Sequence, residues 1–398
     1  MTSDGNEFRG DSAMQLLLAL IGVRSDRERD ERLRGLTAGA DWDRVAQAAE
    51  DHRVIPLLCR GVRPTCAEAV PKDVLSRLEA AYASNARRNL LLALELVRLL
   101  DVLEKSGIAA MAFRGPAVAV GVYGDLALRR FTDLDILVPP ADVPAACRAL
   151  EADGLAPEFR FDDAREPALI RFRGALAFMP PDRCLNVDLH WRLHQEFGAL
   201  DSELHGIRAR ADTVTIEGRP VRTLCRDDLL VHFCLHGALH AWERLSYVCD
   251  VAELVGGQPE FDWRRQLPEW RRQKRTRAVF LGLVLARRLL GAPVPDGVLD
   301  AARSDPRVEA LAERVARRLC GPYTERAPRS ERWPFQAAML ESPRDKMRFL
   351  AGLTVVPTGP DIAAVRLPRP LFFLYYLIRP VRLAGKALSR PFRCPPAS

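Results

Sequence analysis

Thr132-Asp133-Leu134-Asp135-Ile136-Leu137-Val138 contains two acidic residues that alternate with aliphatic ones. Successive side chains of a β-strand point to opposite faces, so Asp133 and Asp135 share one face, roughly 6.5–7 Å apart along the strand. The aliphatic residues that alternate with them occupy the other face and are expected to pack on helices. Mg²⁺ prefers a few carboxylates together with substrate phosphates. The stretch therefore predicts a strand that carries a site for hard cations, against the simpler reading of a solvated strand face.

A second predicted strand, Cys184 to Leu193, repeats this one-sided polarity. Leucine, valine and tryptophan at the odd-numbered positions from 185 to 191 alternate with polar residues. Asp188 and His190 lie on the polar face, as in a sheet with helices on one side and a site on the other. Asp188 thus joins the first two carboxylates. His190 is expected to be a hydrogen-bonded partner, with a general base as the alternative. Another strand is predicted from Leu169 to Met179.

The candidate anion ligands lie just before the Asp133 strand. Arg114 and Gly115 open a helix-like segment, Pro116 to Val122, where a guanidinium can meet a triphosphate. Arg129 could neutralise the leaving pyrophosphate. The alternative for Arg114 is a structural salt bridge. Two divalent ions about 3.5–4 Å apart can clamp the attacking and leaving oxygens of a displacement at phosphorus. Nucleotidyl transfer is therefore the chemistry that fits these residues best.

Helical patterns surround this strand-rich segment. Helices are predicted after Asp41, from Asp73 to Lys105, from Asp227 to Val255 and from Trp263 to Leu290, and a linker from Gly321 to Pro343. The predicted divisions are an N-terminal helical region (1–106), an α/β core (107–225), a helical substrate-pocket region (226–320) and a linker with a basic, aromatic C-terminal region (321–398).

Composition narrows the class of protein. The chain has 398 residues, a formal charge of +7 and nine cysteines. The positive charge favours anionic partners. The odd cysteine count without C-x-x-C spacing argues against a disulfide framework or a structural zinc site. No stretch reaches ~18 consecutive apolar residues. With a polar N-terminus unlike a signal peptide, the expected location is cytoplasmic.

Three histidines and one aspartate in the predicted helix from Asp227 to Val255 each allow a structural and a functional interpretation. His232, His236 and His240 recur every four residues, a spacing that could hold zinc, but a packed, hydrogen-bonded face is expected because the glutamate of H-E-x-x-H sites is absent. Asp250 could reach the site as a general base, although a surface acid is expected.

The C-terminal run Leu371 to Ile378 is the other conspicuous feature. Basic residues surround it between positions 366 and 393, and no acidic residue follows Asp361. The run predicts either a helix packed on the body, a peripheral membrane anchor, or a docking strip for RNA or a protein.

Four short motifs together resemble a known family. Phe-Arg-Gly at 113–115, Tyr-Gly-Asp at 123–125, Leu-Arg-Arg-Phe-Thr-Asp-Leu-Asp-Ile-Leu-Val at 128–138 and Val-Asp-Leu-His-Trp at 187–191 are similar to the uncharacterised bacterial nucleotidyltransferase-like family of the polymerase-β superfamily. Weaker similarity reaches Asp41-Trp42 and the stretch from Arg244 to Asp250. Arg114 stands where the family usually has lysine, and Arg114-Gly115 where the wider superfamily has Gly-Ser.

The resemblance implies an α+β fold, with a polymerase-β-like core of mixed sheet between helical regions. It also implies Mg²⁺-dependent transfer of an NMP from an NTP, with ATP expected, to a hydroxyl of an acceptor that could be a small molecule, a protein or RNA. By position, Asp133 and Asp135 match the metal pair and Asp188 the third carboxylate. The alternatives are a non-catalytic nucleotide- or peptide-binding module and a toxin-like RNA nucleotidyltransferase. The sequence does not specify an oligomeric state.

Overall fold

The computed structural model describes residues 11–23, 33, 35–159, 166–180, 185–193, 204–257, 261–321 and 329–388. A mixed five-stranded sheet is embedded in helices, which confirms the predicted α+β class. The strands of this sheet are β1 (Met111–Ala112), β2 (Asp133–Leu137), β3 (Ala156–Pro157), β4 (Ala175–Met179) and β5 (Asn186–His190), and a separate hairpin contains β6 (Asp212–Ile216) and β7 (Arg219–Thr223).

The helices before and between the strands are α1 (Ser12–Ile21), α2 (Trp42–Asp51), α3 (Ile55–Thr65), α4 (Lys72–Lys105), α5 (Pro116–Gly121), α6 (Val143–Ala152), α7 (Glu166–Phe172) and α8 (Leu204–Ala209). Those that follow are α9 (Arg226–Leu239), α10 (Leu245–Gly256), α11 (Trp263–Arg272), α12 (Thr276–Leu290), α13 (Asp296–Arg303), α14 (Pro306–Leu319), α15 (Arg329–Met339), α16 (Pro343–Val355), α17 (Gly359–Ala364) and α18 (Tyr375–Leu388). Among the described helices, none combines the length and apolar character needed to cross a bilayer.

The sheet has the strand order β1-β2-β5-β4-β3, and only β2 and β5 are parallel neighbours within it. Leu134 and Ile136 of β2 lie in one hydrophobic cluster with Leu99 of α4 and Leu150 of α6. The two-residue period of the strand therefore buries these positions under helices. The same period turns the carboxylates to the opposite face, as the sequence predicts.

A second hydrophobic cluster joins the N-terminal helices to those that follow the sheet. It includes Leu17 of α1, Leu58 of α3, Val248 of α10 and Leu285 of α12, each almost completely buried. These two groups of helices are thus packed on each other although more than a hundred residues separate them in sequence. The domain divisions at 106, 225 and 320 stay predictions.

The predicted helix from Asp73 to Lys105 is confirmed as α4, and the Asp41 carboxylate accepts a hydrogen bond from the backbone N–H of Arg44 at the start of α2. The strand predicted from Leu169 to Met179 is wrong in its first part. Residues Glu166–Phe172 form α7, and the strand begins at Ala175. Ala168 and Phe172 are one helical turn apart and are buried in one hydrophobic cluster with Tyr375.

Two long predicted helices are each divided. The helix from Asp227 to Val255 breaks between α9 and α10, where Ala241 and Trp242 have φ values of 51° and 54°. The helix from Trp263 to Leu290 breaks at Lys274, whose φ is 55°. Left-handed backbone at non-glycine residues gives no recognisable signal in a sequence.

The stretch from Gly321 to Pro343 is not wholly a linker. Residues 322–328 lie outside the described ranges, but 329–339 form α15. Phe335 and Met339 are one turn apart and almost fully buried, so packing stabilises this helix despite its internal Pro334.

Candidate active site

Asp135 and Asp188 face each other across the parallel strands β2 and β5, where they form a registered pair. His190 follows two residues later on the same face of β5. One potential ligand atom from each of Asp135, Asp188 and His190 lies within 4.8 Å of the others, which is compatible with a single bound cation. Asp133 belongs to the same face but pairs with Asn186, one step back along the strands.

The Asp135 carboxylate is the most engaged of the three. Only 2% of the residue is exposed, and its Oδ1 receives an ion pair from Arg114 and a contact of 3.0 Å from His190 Nε2. Burial alone would raise the pKa of Asp135, but the positive charge of Arg114 and the bond from His190 hold that pKa well below its usual range. Asp135 is therefore an anion at neutral pH.

Asp188 has the opposite electrostatic character. Burial and the negative charge of neighbouring Asp135 raise the pKa of the Asp188 carboxyl. Its ionised form is thus disfavoured by the folded protein. A divalent cation between the two carboxylates would relieve that repulsion, so the pair fits a metal electrostatically as well as by geometry.

Arg114 and Gly115 connect β1 to α5 beneath the carboxylates. Gly115 has a φ of 56°, and a Cβ there would lie 3.2 Å from the backbone oxygen of Asp133, so a side chain would be strained. Arg114 Nη1 is 3.3 Å from both ring nitrogens of His236, which places the guanidinium over the imidazole. The buried Nε of Arg114 has no hydrogen-bond partner among the described residues.

The structure thus realises the salt-bridge alternative for Arg114, with Asp135 as its partner. Because the side chain also lines the cavity described below, this contact leaves the phosphate-binding role of Arg114 as a proposal.

Arg129 is held by Asp250, which the sequence predicts to lie on a helix surface. Its guanidinium donates two hydrogen bonds to the Asp250 carboxylate, at 2.8 and 2.9 Å, and Tyr123 donates a third at 2.7 Å. Asp250 is 4% exposed, so the expectation of a surface acid is wrong. Although burial disfavours the charged guanidinium, Asp250 raises the pKa of Arg129 above its ordinary value. The three residues tie α10 to the segment that leads into β2.

These elements enclose a cavity of about 360 Å³. Two of the predicted carboxylates, Asp133 and Asp135, line it, and Asp188 lies beside Asp135 across the strand pair. The charged lining contains more arginines than carboxylates: Arg53, Arg114, Arg129, Arg130, Arg244 and Arg332 against Asp133, Asp135, Glu243 and Asp250. Such a lining suits a polyanion.

Several of these arginines are held in place by carboxylates. Arg130 contacts Glu50 at 2.5 Å, and Arg332 of α15 contacts the buried Glu243 at 2.6 Å. The long side chains therefore approach the cavity in defined positions, which reduces the entropy lost when a ligand binds.

The cavity wall also contains aromatic and imidazole rings, whose position at the site the sequence does not predict. His240 stacks on Tyr247 with centroids 5.4 Å apart, and His236 meets Tyr247 edge-on at 5.3 Å. Within the described ranges, the metal-ligand spacing occurs at Asp135, Asp188 and His190 and not among the helical histidines. The weak sequence similarity from Arg244 to Asp250 was the available signal for this wall.

Comparisons with known proteins bear on the same region. The sequence profile of a family described as "Uncharacterised nucleotidyltransferase" matches residues 38–291. No curated protein sequence matches the chain. A solved structure of an antigenic nucleotidyltransferase-like protein from Paracoccidioides brasiliensis is similar to it, with 15% identity over 54% of this chain and 96% of that chain, and a TM-score of 0.31.

The profile match spans the paired carboxylates, the arginine-glycine turn and most of the cavity wall, and it covers well over half of the sequence. The chain therefore belongs to the uncharacterised nucleotidyltransferase family.

Proposed function

We propose that this protein is a Mg²⁺-dependent nucleotidyltransferase that moves an NMP from an NTP, with ATP as the expected donor, to a hydroxyl group of an acceptor. The observation that carries the proposal is the registered pair of Asp135 and Asp188 beside an arginine-rich cavity. Family membership supports the reaction class.

The donor set supports a divalent cation. Asp135 and Asp188 would hold it, with Asp133 as the third carboxylate on the same face and His190 as the hydrogen-bond partner that orients Asp135. When bound, Mg²⁺ would neutralise phosphate oxygens and lower the pKa of the acceptor hydroxyl.

The remaining steps belong to side chains of this protein. Arg114 and Arg129 would bind the triphosphate, since both guanidiniums line the cavity and stay protonated beside their carboxylates. Gly115 would allow the phosphates to approach the backbone closely. Asp188, whose pKa is raised, would position the acceptor hydroxyl or accept its proton.

A non-catalytic nucleotide-binding module is the second candidate, and one contact favours it. The Arg114 guanidinium neutralises Asp135, so a nucleotide could bind through arginines without any chemistry at the carboxylates.

Incubation with α-labelled NTPs and cellular fractions separates the two functions. We expect wild type to transfer label to an acceptor in the presence of Mg²⁺, and the Asp135→Asn/Asp188→Asn variant to transfer none. Asp300→Asn is the matched control, because Asp300 of α13 forms an exposed ion pair with Arg303 and does not line the cavity. Equal labelling by the double variant would overturn the site, and nucleotide binding without a labelled product in any fraction would identify a binding module.

A further inference from the structure

The last described helix, α18, presents its apolar side to solvent. With 100° of rotation per residue, Leu377 and Val381 lie within about 40° of each other on the helix surface. They are 63% and 71% exposed. Surface helices of globular proteins ordinarily turn such residues toward the core. The orientation of α18 therefore leaves an apolar face without the usual cover.

The opposite side of the same helix is partly buried and contains Arg379 and Arg382. Arg379 contacts Asp361 at 3.0 Å, and Arg382 forms an ion pair with the same carboxylate. Tyr375, fully buried, donates a hydrogen bond to the backbone oxygen of Val365 at 2.8 Å. Because these contacts fix the rotation of α18, Leu377 and Val381 cannot turn inward without breaking two ion pairs around a buried carboxylate.

Two neighbouring elements also expose large apolar side chains. Phe373, in the turn before α18, is 59% exposed, and Met347 and Leu350 of α16, which packs on α18, are 68% and 49% exposed. We use the term C-terminal apolar face for Met347, Leu350, Phe373, Leu377 and Val381. A concentration of large exposed apolar side chains marks an interaction site more often than chance.

Charge indicates what the face binds. The chain has 59 lysines and arginines against 52 acidic residues, and all seven in excess follow Asp361, where no acidic residue occurs. The first 361 residues are thus neutral overall, and the net positive charge lies after Asp361. Two of these seven residues, Arg379 and Arg382, are ion-paired with Asp361. Arg344 and Arg348 of α16 are exposed one turn from each other, beside Met347.

Two other occupants fit this combination less well. A second copy would bring two positively charged ends together, which is repulsive. RNA phosphates would pair with the basic residues. RNA is otherwise recognised by base stacking, however, and offers no apolar surface on which aliphatic side chains can be buried. An anionic bilayer accepts both, because basic residues meet the headgroups while apolar side chains enter the acyl boundary.

We infer that the C-terminal apolar face is a docking surface for the headgroup region of an anionic lipid bilayer.

Flotation of the purified full-length protein with vesicles tests this inference. One set of vesicles is phosphatidylcholine alone, and the other contains about one-third phosphatidylglycerol, both at about 0.1 M salt. We expect association with the anionic vesicles and little with the neutral ones. Leu377→Asn/Val381→Asn should weaken association at least ~10-fold because it removes two aliphatic side chains that would be buried in the bilayer on binding. Arg344→Gln and Arg348→Gln should each weaken it roughly 5-fold.

Leu91→Asn is the matched control, since Leu91 on α4 is 67% exposed but lies outside the face. It should bind vesicles as wild type does. Equal binding to neutral and anionic vesicles, or wild-type binding by Leu377→Asn/Val381→Asn, would overturn the inference. A dimer in light scattering that the same double variant dissociates would instead assign the face to a second copy.

Discussion

The folded protein disfavours ionisation of the Asp188 carboxyl group. Its pKa is raised by burial and by Asp135, so its stabilising contribution is present below the unfolded pKa, about 3.9, and is lost as pH rises through the higher folded value. At neutral pH the ionised carboxylate therefore costs stability while the metal is absent. A bound cation would remove the repulsion between the two carboxylates, and the energy released would favour its binding.

Replacing this residue should separate metal binding from folding. We expect Asp188→Asn to have a higher melting temperature than wild type at pH 7 without Mg²⁺, and the difference to vanish near pH 3. Added Mg²⁺ should raise the melting temperature of wild type but not of the variant, because a ligand stabilises only the state that binds it. Calorimetry with and without chelator measures both effects. A variant less stable than wild type at pH 7 and equally raised by Mg²⁺ would refute this assignment.

Asp135 should behave with the opposite sign. Its folded pKa is lowered, so its contribution to stability is present above about pH 3.9 and is lost as pH falls toward the folded value. We expect Asp135→Asn to cost about 2–3 kcal/mol at pH 7, below the usual cost of breaking a buried pair because Arg114 keeps some solvent contact. Urea unfolding should show this difference shrinking below pH 4. A constant difference across that range would show that Asp135 is not the ionised partner of Arg114.

Residue-level features were predictable only where a local period fixes them. The alternation of polar and apolar residues predicts that Asp133 shares a face of β2 with Asp135 and that Asp188 shares a face of β5 with His190, whereas the register that pairs Asp135 with Asp188 is seen only in the structure. His236 and Asp250 reach the cavity from helices that follow the sheet in sequence, and no local pattern encodes that packing. Asp250 was therefore assigned to a surface when it is in fact the buried partner of Arg129.

At the scale of elements, a buried network attaches α10 to the sheet. Asp250 binds Arg129 with two hydrogen bonds and accepts a third from Tyr123, all with little exposure to solvent. Asp250→Ala should lower the free energy of unfolding by about 3–5 kcal/mol, since it leaves a buried guanidinium unpaired. Asp153→Ala removes the partner of the more exposed Arg98 and should cost less than about 1 kcal/mol. Similar losses in urea unfolding would contradict the structural role of the network.

The turn between α9 and α10 depends on the absence of a side chain at Gly237. A Cβ there would lie 2.7 Å from the indole of the fully buried Trp242. We expect Gly237→Ala to cost about 1–3 kcal/mol through overpacking. Gly297→Ala in α13, where a Cβ would meet nothing within 4 Å, should be neutral or slightly stabilising. If thermal unfolding shows equal effects for the two variants, the packing of Trp242 is not the cause.

Helix interiors were predictable from apolar spacing, whereas helix breaks were not. Ala241, Trp242 and Lys274 have ordinary helix-compatible side chains but left-handed backbone, so tertiary packing decides where those helices end. Residues 169–172 are helical rather than extended for a related reason. A short apolar run fits a strand and a buried helix equally well until its partner, the C-terminal region, is known.

At the scale of the whole molecule, the cavity is assembled from distant parts of the chain. Arg53 follows α2, Arg114 and Asp135 belong to the sheet region, Tyr247 lies on α10 and Arg332 on α15. A polyanion bound there would contact the sheet and the helices on both sides of it in sequence. Binding of such a ligand would therefore depend on the packing of the helical regions around the sheet.

Binding by Asp135 and Asp188 of the Mg²⁺ that accompanies an NTP is the step on which the proposed function depends. Its most direct test is calorimetric titration of a non-hydrolysable ATP analogue, with and without Mg²⁺, into wild type, Asp188→Asn and Asp135→Asn/Asp188→Asn. Circular dichroism confirms that each variant is folded. We expect Mg²⁺ to strengthen binding to wild type by at least ~10-fold and to have no effect on binding to the double variant. Equal Mg²⁺-dependent binding by wild type and the double variant would contradict this expectation.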